Sequence, residues 1–156
     1  MKSFLICLVS FFSFLSADDA TFHFRGVHFL ASYSECDQTA LRDVEALQKA
    51  MLDSIEKCGA HILNSSEYVF HPDGLTMVIL LSESHASIHT YPEHGACFVD
   101  LFTCGNKCSW EKFDAVLREY LKPKDVDHRV MIRDRGFEEC SSKTALMPAD
   151  NSSTNS

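Results

Sequence analysis

The segment from Leu81 to Asn106 gathers many of the side chains with which this chain could carry out chemistry. It contains three histidines, two glutamates, two cysteines and three serines. These residue types can bind a metal ion, provide a nucleophile together with a general base, or help the backbone to rearrange. The spacing of the residues allows each of these possibilities to be examined in turn.

A metal site in this segment would draw on His85, His89 and His94. His85 and His89 are four residues apart, which places both on one face of a strand. Pro92 interrupts the segment before His94, and no carboxylate or thiolate stands at a recognised ligand spacing. The sequence therefore predicts no metal site.

The seven cysteines do not indicate a disulfide framework. Their number is odd and their spacings are irregular, whereas small secreted scaffolds pair an even number. Cys104 and Cys108 are separated by three residues rather than two, so they match neither a zinc-knuckle nor a thioredoxin motif. We expect most of the thiols to be buried and reduced.

The serines offer two further possibilities. Hydrolase chemistry is disfavoured because no Gly-x-Ser-x-Gly elbow occurs. At Glu83–Ser84, however, the Ser84 hydroxyl could attack the carbonyl carbon of Glu83 and form an ester by an N-to-O acyl shift. Removal of the Ser84 α-hydrogen would then break the ester and leave dehydroalanine, which hydrolyses to a pyruvoyl group. This reaction requires a strained peptide, donors for the oxyanion and a nearby base.

The elements that position this segment follow from hydrophobic periodicity and from turn residues. One helix is expected between an N-cap at Asp37 and a C-terminal Gly59, and a second between Ser109 and Pro123. The expected strands are Thr21 to Cys36, Ala60 to Phe70, Leu75 to Leu81, Ala86 to Tyr91, Ala96 to Thr103 and Val126 to Ile132.

This order of elements predicts an α+β fold, a two-layer sandwich in which two helices cover one face of an antiparallel sheet. The second face of the sheet would then need a partner or a polar surface. One folded domain is expected over residues 21–140, because hydrophobic residues make up 46% of the chain. Residues 141–156 are rich in Ser, Thr and Asn and are expected to form a disordered tail.

The N-terminal residues 1–17 resemble a secretory signal. Lys2 precedes an apolar run from Phe4 to Leu15, followed by Ser16 and Ala17. The run is too short for a stable membrane span. A cytoplasmic location is predicted, with export as the alternative that this segment leaves open.

The formal net charge of −8 bears on possible partners. A nucleic-acid partner is disfavoured because no basic stripe offsets this charge. The charge suits a cationic small molecule, although a surface charge of this sign also serves solubility.

The densest motifs resemble those of the prokaryotic S-adenosylmethionine decarboxylase proenzymes, over about Gly26 to Phe137. The residues that carry the resemblance occur in one register: Phe70-His71-Pro72-x-Gly74, Glu83-Ser84-His85, Ile88-His89-Thr90, Pro92-Glu93, and Asp100-Leu101-Phe102-Thr103-Cys104-Gly105. The resemblance implies a pyruvoyl-dependent enzyme that cleaves itself and then decarboxylates S-adenosylmethionine for spermidine synthesis. It also implies a homodimer of processed protomers.

The resemblance assigns roles in self-cleavage to four positions. Cleavage between Glu83 and Ser84 would give a β chain of residues 1–83 and an α chain of residues 84–156. Ser84 would become the pyruvoyl cofactor, which forms a Schiff base with the substrate amine. His89 occupies the position of the base that promotes elimination. Thr76 stands where the family commonly has a serine that assists processing.

The resemblance also assigns roles in catalysis and substrate binding. Cys104 matches the proton donor to the product. Phe70 and Tyr91 match the aromatic pair around adenine, and Glu93 matches the carboxylate that binds the ribose hydroxyls. Two alternatives stay open, one because position 91 is usually Trp in the family and the other because the N-terminal segment resembles a signal. The first is a pyruvoyl-dependent arginine or ornithine decarboxylase of the same fold, and the second is a non-catalytic, exported binding homologue.

Overall fold

The computed structural model describes residues 25–105 and 107–134. The signal-like residues 1–17 and the expected tail at 141–156 lie outside this part of the chain. The outer ends of the expected 21–140 domain lie outside it as well.

Six antiparallel strands form one sheet in the order β2-β3-β4-β5-β1-β6. All six expected strands are confirmed, with small shifts at those ends that fall in the described residues; residues 21–24 of the first expected strand lie outside them. Their bounds are Arg25–Ser34 (β1), Ile62–Phe70 (β2), Gly74–Leu81 (β3), Ser84–Tyr91 (β4), Ala96–Cys104 (β5) and Asp125–Asp134 (β6). A short 3-10 helix at Pro92–His94 separates β4 from β5.

Three α-helices occur in the described residues: Gln38–Arg42 (α1), Val44–Cys58 (α2) and Trp110–Leu121 (α3). The cap at Asp37 is confirmed, since its carboxylate accepts from the backbone N–H groups of Thr39 and Ala40. The expectation of one continuous helix after Asp37 is wrong. Asp43 interrupts it and caps α2 by accepting from Ala46 N–H at 3.0 Å, because Asp is better suited to a cap than to a helix interior.

The core lies between the helices and one face of the sheet. Alternate residues of β1, β3, β4 and β5 point into it and meet the apolar sides of α2 and α3. Its largest fully buried members are Phe29, Tyr33, Leu41, Leu47, Met51, Ile55, Leu75, Met77, Ile79, Ile88, Leu101 and Phe113. The α+β two-layer sandwich is thereby confirmed. No helix in the described residues is long and apolar enough to cross a membrane.

The other face of the sheet, here called the open face, carries large apolar side chains that are exposed. The cross-strand register links Tyr68 to Thr76, Thr76 to His89 and His89 to Phe98, so these side chains share this face. Its exposed apolar residues are Tyr68, Phe70, Val78, Leu80, Phe98 and Met131. The open face is therefore not a purely polar surface, since exposed apolar side chains lie among its polar residues.

Candidate active site

The residues assigned to the site fall into two groups at opposite ends of β4. The cleavage group consists of Glu83, Ser84 and Cys104, and the histidine group of Phe70, Thr76, His89, Tyr91 and Glu93. A strand rises about 3.3 Å per residue, so Ser84 and His89 are about 16 Å apart along β4. A single chain therefore does not bring the two groups together.

Ser84 begins β4 in an unusual backbone conformation. Its φ angle of 156° is positive, which is rare for a residue with a side chain. Strain of this kind costs on the order of 1–3 kcal/mol and is often found at functional sites. The Ser84 hydroxyl lies 3.1 Å from Nδ1 of His85. The strained peptide required for an acyl shift is thus present at Ser84.

The carbonyl group of Glu83 is held by β5. The backbone N–H of Cys104 donates to the Glu83 carbonyl oxygen at 3.0 Å, and Ser84 is paired with Thr103 in the sheet. A backbone N–H aimed at this oxygen can stabilise negative charge that develops on it. One oxyanion donor is therefore in place before any reaction starts.

The carboxylate of Glu83 is bound by His61. The backbone N–H of His61 donates to Oε2 at 2.9 Å, and Nδ1 of its ring lies 2.9 Å from Oε1. Burial opposes ionisation of Glu83, but hydrogen bonds from His61 and the Ser82 side chain outweigh it and lower the Glu83 pKa to about 2. His61 belongs to no motif, and it lies 22 positions before Glu83 in the sequence.

The histidine group is centred on His89. The Thr76 hydroxyl is hydrogen-bonded to Nδ1 of His89, its neighbour across β3 and β4. The rings of Phe70 and Tyr91 lie 5.9 Å and 4.6 Å from that of His89. Glu93 is exposed on the adjoining 3-10 helix. The structure thus brings together the expected base His89, its hydroxyl partner Thr76 and the two aromatic residues that the resemblance assigns to substrate binding.

The described cysteines are free thiols, and Cys104 differs from most of them because it is exposed. Cys36, Cys58 and Cys97 are buried. Burial raises the pKa of the partly buried Cys108 to about 11, and its neighbours Cys58 and Glu83 contribute to the shift. Cys104 is accordingly better placed than these thiols to meet a substrate.

The histidines of the Leu81 to Asn106 segment are dispersed in the structure. His85 lies against His28 and Phe102, whereas His89 lies against Phe70 and Tyr91. Within residues 25–105 and 107–134, no three His, Cys, Asp or Glu side chains are grouped so that they could hold a metal ion.

The antiparallel sandwich, with a strained serine at the start of one of its central strands, agrees with the self-cleaving proenzyme that the sequence resemblance implies. A family model described as S-adenosylmethionine decarboxylase matches residues 27–134. The chain belongs to the S-adenosylmethionine decarboxylase family.

Individual relatives agree with this family assignment. An S-adenosylmethionine decarboxylase proenzyme of Thermosipho melanesiensis is 41% identical over 102 residues, which cover 65% of this chain and 78% of the relative. An S-adenosylmethionine decarboxylase proenzyme of Methanococcus maripaludis is 37% identical over 114 residues, which cover 73% of this chain and 92% of the relative. The crystal structure of the Aquifex aeolicus adenosylmethionine decarboxylase superposes with a TM-score of 0.67 at 33% identity, covering 75% of this chain and 97% of that one. The sequence resemblance is confirmed, and the two alternative functions are not favoured.

Proposed function

We propose that this chain is a self-processing, pyruvoyl-dependent decarboxylase that converts S-adenosylmethionine to decarboxylated S-adenosylmethionine and carbon dioxide. The observation that supports this most is the strained backbone of Ser84, which follows a carbonyl held by the backbone N–H of Cys104. The relatives' names indicate the substrate, and the product would serve as the aminopropyl donor in spermidine synthesis.

Self-cleavage would begin with attack of Ser84 Oγ on the carbonyl carbon of Glu83. The Cys104 N–H stabilises the oxyanion, and collapse of the intermediate gives an ester with a free amine on residue 84. A base then removes the Ser84 α-hydrogen. The ester bond breaks, and the backbone α-carboxylate of Glu83 leaves as the new C-terminus of the β chain. The dehydroalanine that remains tautomerises to an imine, and hydrolysis releases ammonia and leaves a pyruvoyl group.

His89 is proposed as the base for this elimination. The Thr76 hydroxyl is hydrogen-bonded to Nδ1 of His89 and would hold the ring in one orientation. Because His89 is about 16 Å from Ser84 in the same chain, we infer that it acts on Ser84 of a second chain. Each site would then combine the cleavage group of one protomer with the histidine group of the other.

A homodimer that packs through the open face would bring these groups together. A twofold axis that lies between the two open faces, perpendicular to β4 and level with the middle of this strand, reverses the direction of β4 in the partner, so opposite ends of the strand meet. The exposed apolar residues of this face, including Val78, Leu80 and Phe98, would be removed from water in such a dimer.

A charged residue on the open face is expected to weaken the dimer. Leu80 is 53% exposed in the single chain, and Leu80→Lys would place an unpaired ammonium group in the apolar interface. We expect the dissociation constant, measured by analytical ultracentrifugation, to rise by about 100-fold or more. Val130→Lys is the control, because Val130 is partly exposed but pairs with the core residue Phe29 and so faces away from the open face. If Leu80→Lys dimerises with the same dissociation constant as wild type, the open face is not the dimer interface.

Substrate binding is proposed at the histidine group. Phe70 and Tyr91 offer aromatic rings to adenine and to the sulfonium cation, and Glu93 offers a carboxylate to the ribose hydroxyls. The pyruvoyl group would supply an electron sink for the pair left by departing carbon dioxide. The exposed thiol of Cys104, next to the cleavage point, would return a proton to the α-carbon.

The proposal predicts carbon dioxide release from carboxyl-labelled S-adenosylmethionine, and less from arginine or ornithine at equal concentration. Cys104→Ala should still cleave itself, because the backbone N–H that holds the Glu83 carbonyl is retained. Its decarboxylation rate should fall by about 10²–10⁴-fold, because the proton donor is lost. Preference for arginine or ornithine would overturn the substrate assignment. An unchanged rate in the cleaved Cys104→Ala enzyme would overturn the role of the thiol.

A further inference from the structure

His61 lies outside every group named for the reaction, yet it binds the side chain of the residue at which the chain would be cut. It stands just before β2 and contacts both carboxylate oxygens of Glu83, one through its backbone N–H and one through its ring, each at 2.9 Å. The His61 carbonyl in turn accepts from Ser82 N–H at 3.0 Å. Residues 61, 82 and 83 therefore form one closed set of hydrogen bonds.

Glu83 is consequently fixed at two places. His61 holds its carboxylate, and the Cys104 N–H holds its carbonyl oxygen at 3.0 Å. Rotation of the peptide between Glu83 and Ser84 is the simplest movement that would relieve the positive φ of Ser84. Such a rotation would swing the Glu83 carbonyl away from Cys104, and the anchored side chain limits how far the Glu83 Cα can follow.

We propose that His61 is a positioning residue for self-cleavage, holding Glu83 so that its carbonyl stays toward the oxyanion donor and the strain stays at Ser84. This inference rests on the proposed cleavage between Glu83 and Ser84. His61 touches none of the reacting atoms, and it acts through the Glu83 carboxylate.

The test is the rate of self-cleavage of the full chain after a short pulse of cell-free translation, followed by denaturing mass spectrometry. His61→Ala should cleave about tenfold more slowly than wild type, because one hydrogen bond to a charged group is lost. His61→Asn should restore the rate to within about threefold, because its amide N–H can replace the ring Nδ1–H as a donor. Lys49→Ala, which removes an exposed partner of the Asp53 carboxylate on α2, should cleave like wild type.

A double-mutant cycle separates positioning from a general loss of stability. The His61 side chain is 78% exposed, so His61→Ala should melt within a few degrees of wild type. In a Glu83→Ala background, which offers His61 no side-chain acceptor, removal of the His61 ring should slow cleavage by much less than tenfold, because the two side chains act through one contact. If the wild-type chain cleaves and the His61→Ala chain cleaves at the same rate, this inference is wrong, whereas the proposed function still stands. An uncleaved wild-type chain would overturn the proposed function itself.

Discussion

A Ser84→Ala chain is expected to stay intact indefinitely, whereas the wild-type chain is recovered as two fragments that meet at Glu83 and Ser84. Alanine has no hydroxyl to attack the Glu83 carbonyl, so neither the ester nor the pyruvoyl group can form. The effect should be complete, and decarboxylation should disappear with it. Denaturing mass spectrometry of the purified protein measures both outcomes, because the wild-type C-terminal fragment should begin with a pyruvoyl group.

Ser87→Ala is the matched control for this experiment. Ser87 lies on the same strand, and its hydroxyl donates to Asp100 at 3.1 Å on the open face rather than facing a scissile carbonyl. It should cleave as wild type does. Two fragments from the Ser84→Ala chain, or one unchanging chain from wild type, would rule out Ser84 as the source of the cofactor.

Local signals in the sequence predicted most of the fold. Asp37 and Gly59 mark helix ends because a carboxylate accepts the free N–H groups of a first turn and glycine adopts positive φ readily, and both residues do so here. The break at Asp43 was missed because the apolar spacing continues through it. The Asp43 carboxylate accepts a hydrogen bond from the backbone N–H of Ala46, so Asp43 caps a second helix instead of continuing the first.

The character of the open face could not be read from the sequence. Residues 77–81 of β3 are apolar without interruption, which is typical of a strand that is covered on both sides. The helices cover only one side of the sheet. An apolar run of this kind agrees with the proposed dimer, in which a second chain would cover the open face, but a partner in another chain leaves no separate mark in the sequence.

The residues of the candidate site could be named from motifs, whereas their arrangement could not. Ser84 and His89 are only five residues apart in the sequence, a spacing that by itself would allow them to meet. The strand geometry of β4 separates them instead. Conversely, His61 and Glu83 are distant in the chain and touch, through a contact that only the register of β2 and β3 creates.

His89→Ala is expected to block the second half of self-cleavage while allowing the first half. The Ser84 hydroxyl and the Cys104 N–H remain, so the ester can form, but elimination should slow by about 10²–10⁴-fold without its base. The chain should therefore appear intact by mass, yet hydroxylamine should cut it at residue 83, because hydroxylamine attacks an ester much faster than an amide. The Ser84→Ala chain should resist hydroxylamine. His94→Ala, which alters an exposed histidine of the adjoining 3-10 helix, should process normally.

Co-expression of the Ser84→Ala and His89→Ala chains tests whether His89 acts across the dimer. A mixed dimer contains one site that pairs the intact Ser84 of the His89→Ala chain with the intact His89 of its partner. Cleavage should return in that chain alone, and distinct affinity tags on the two chains identify the product. If His89 instead served its own Ser84, neither chain of the mixed dimer could complete the reaction, because each lacks one member of the pair. Restored cleavage would therefore require opposite ends of β4 to meet across the open face, as the distance of about 16 Å between Ser84 and His89 demands.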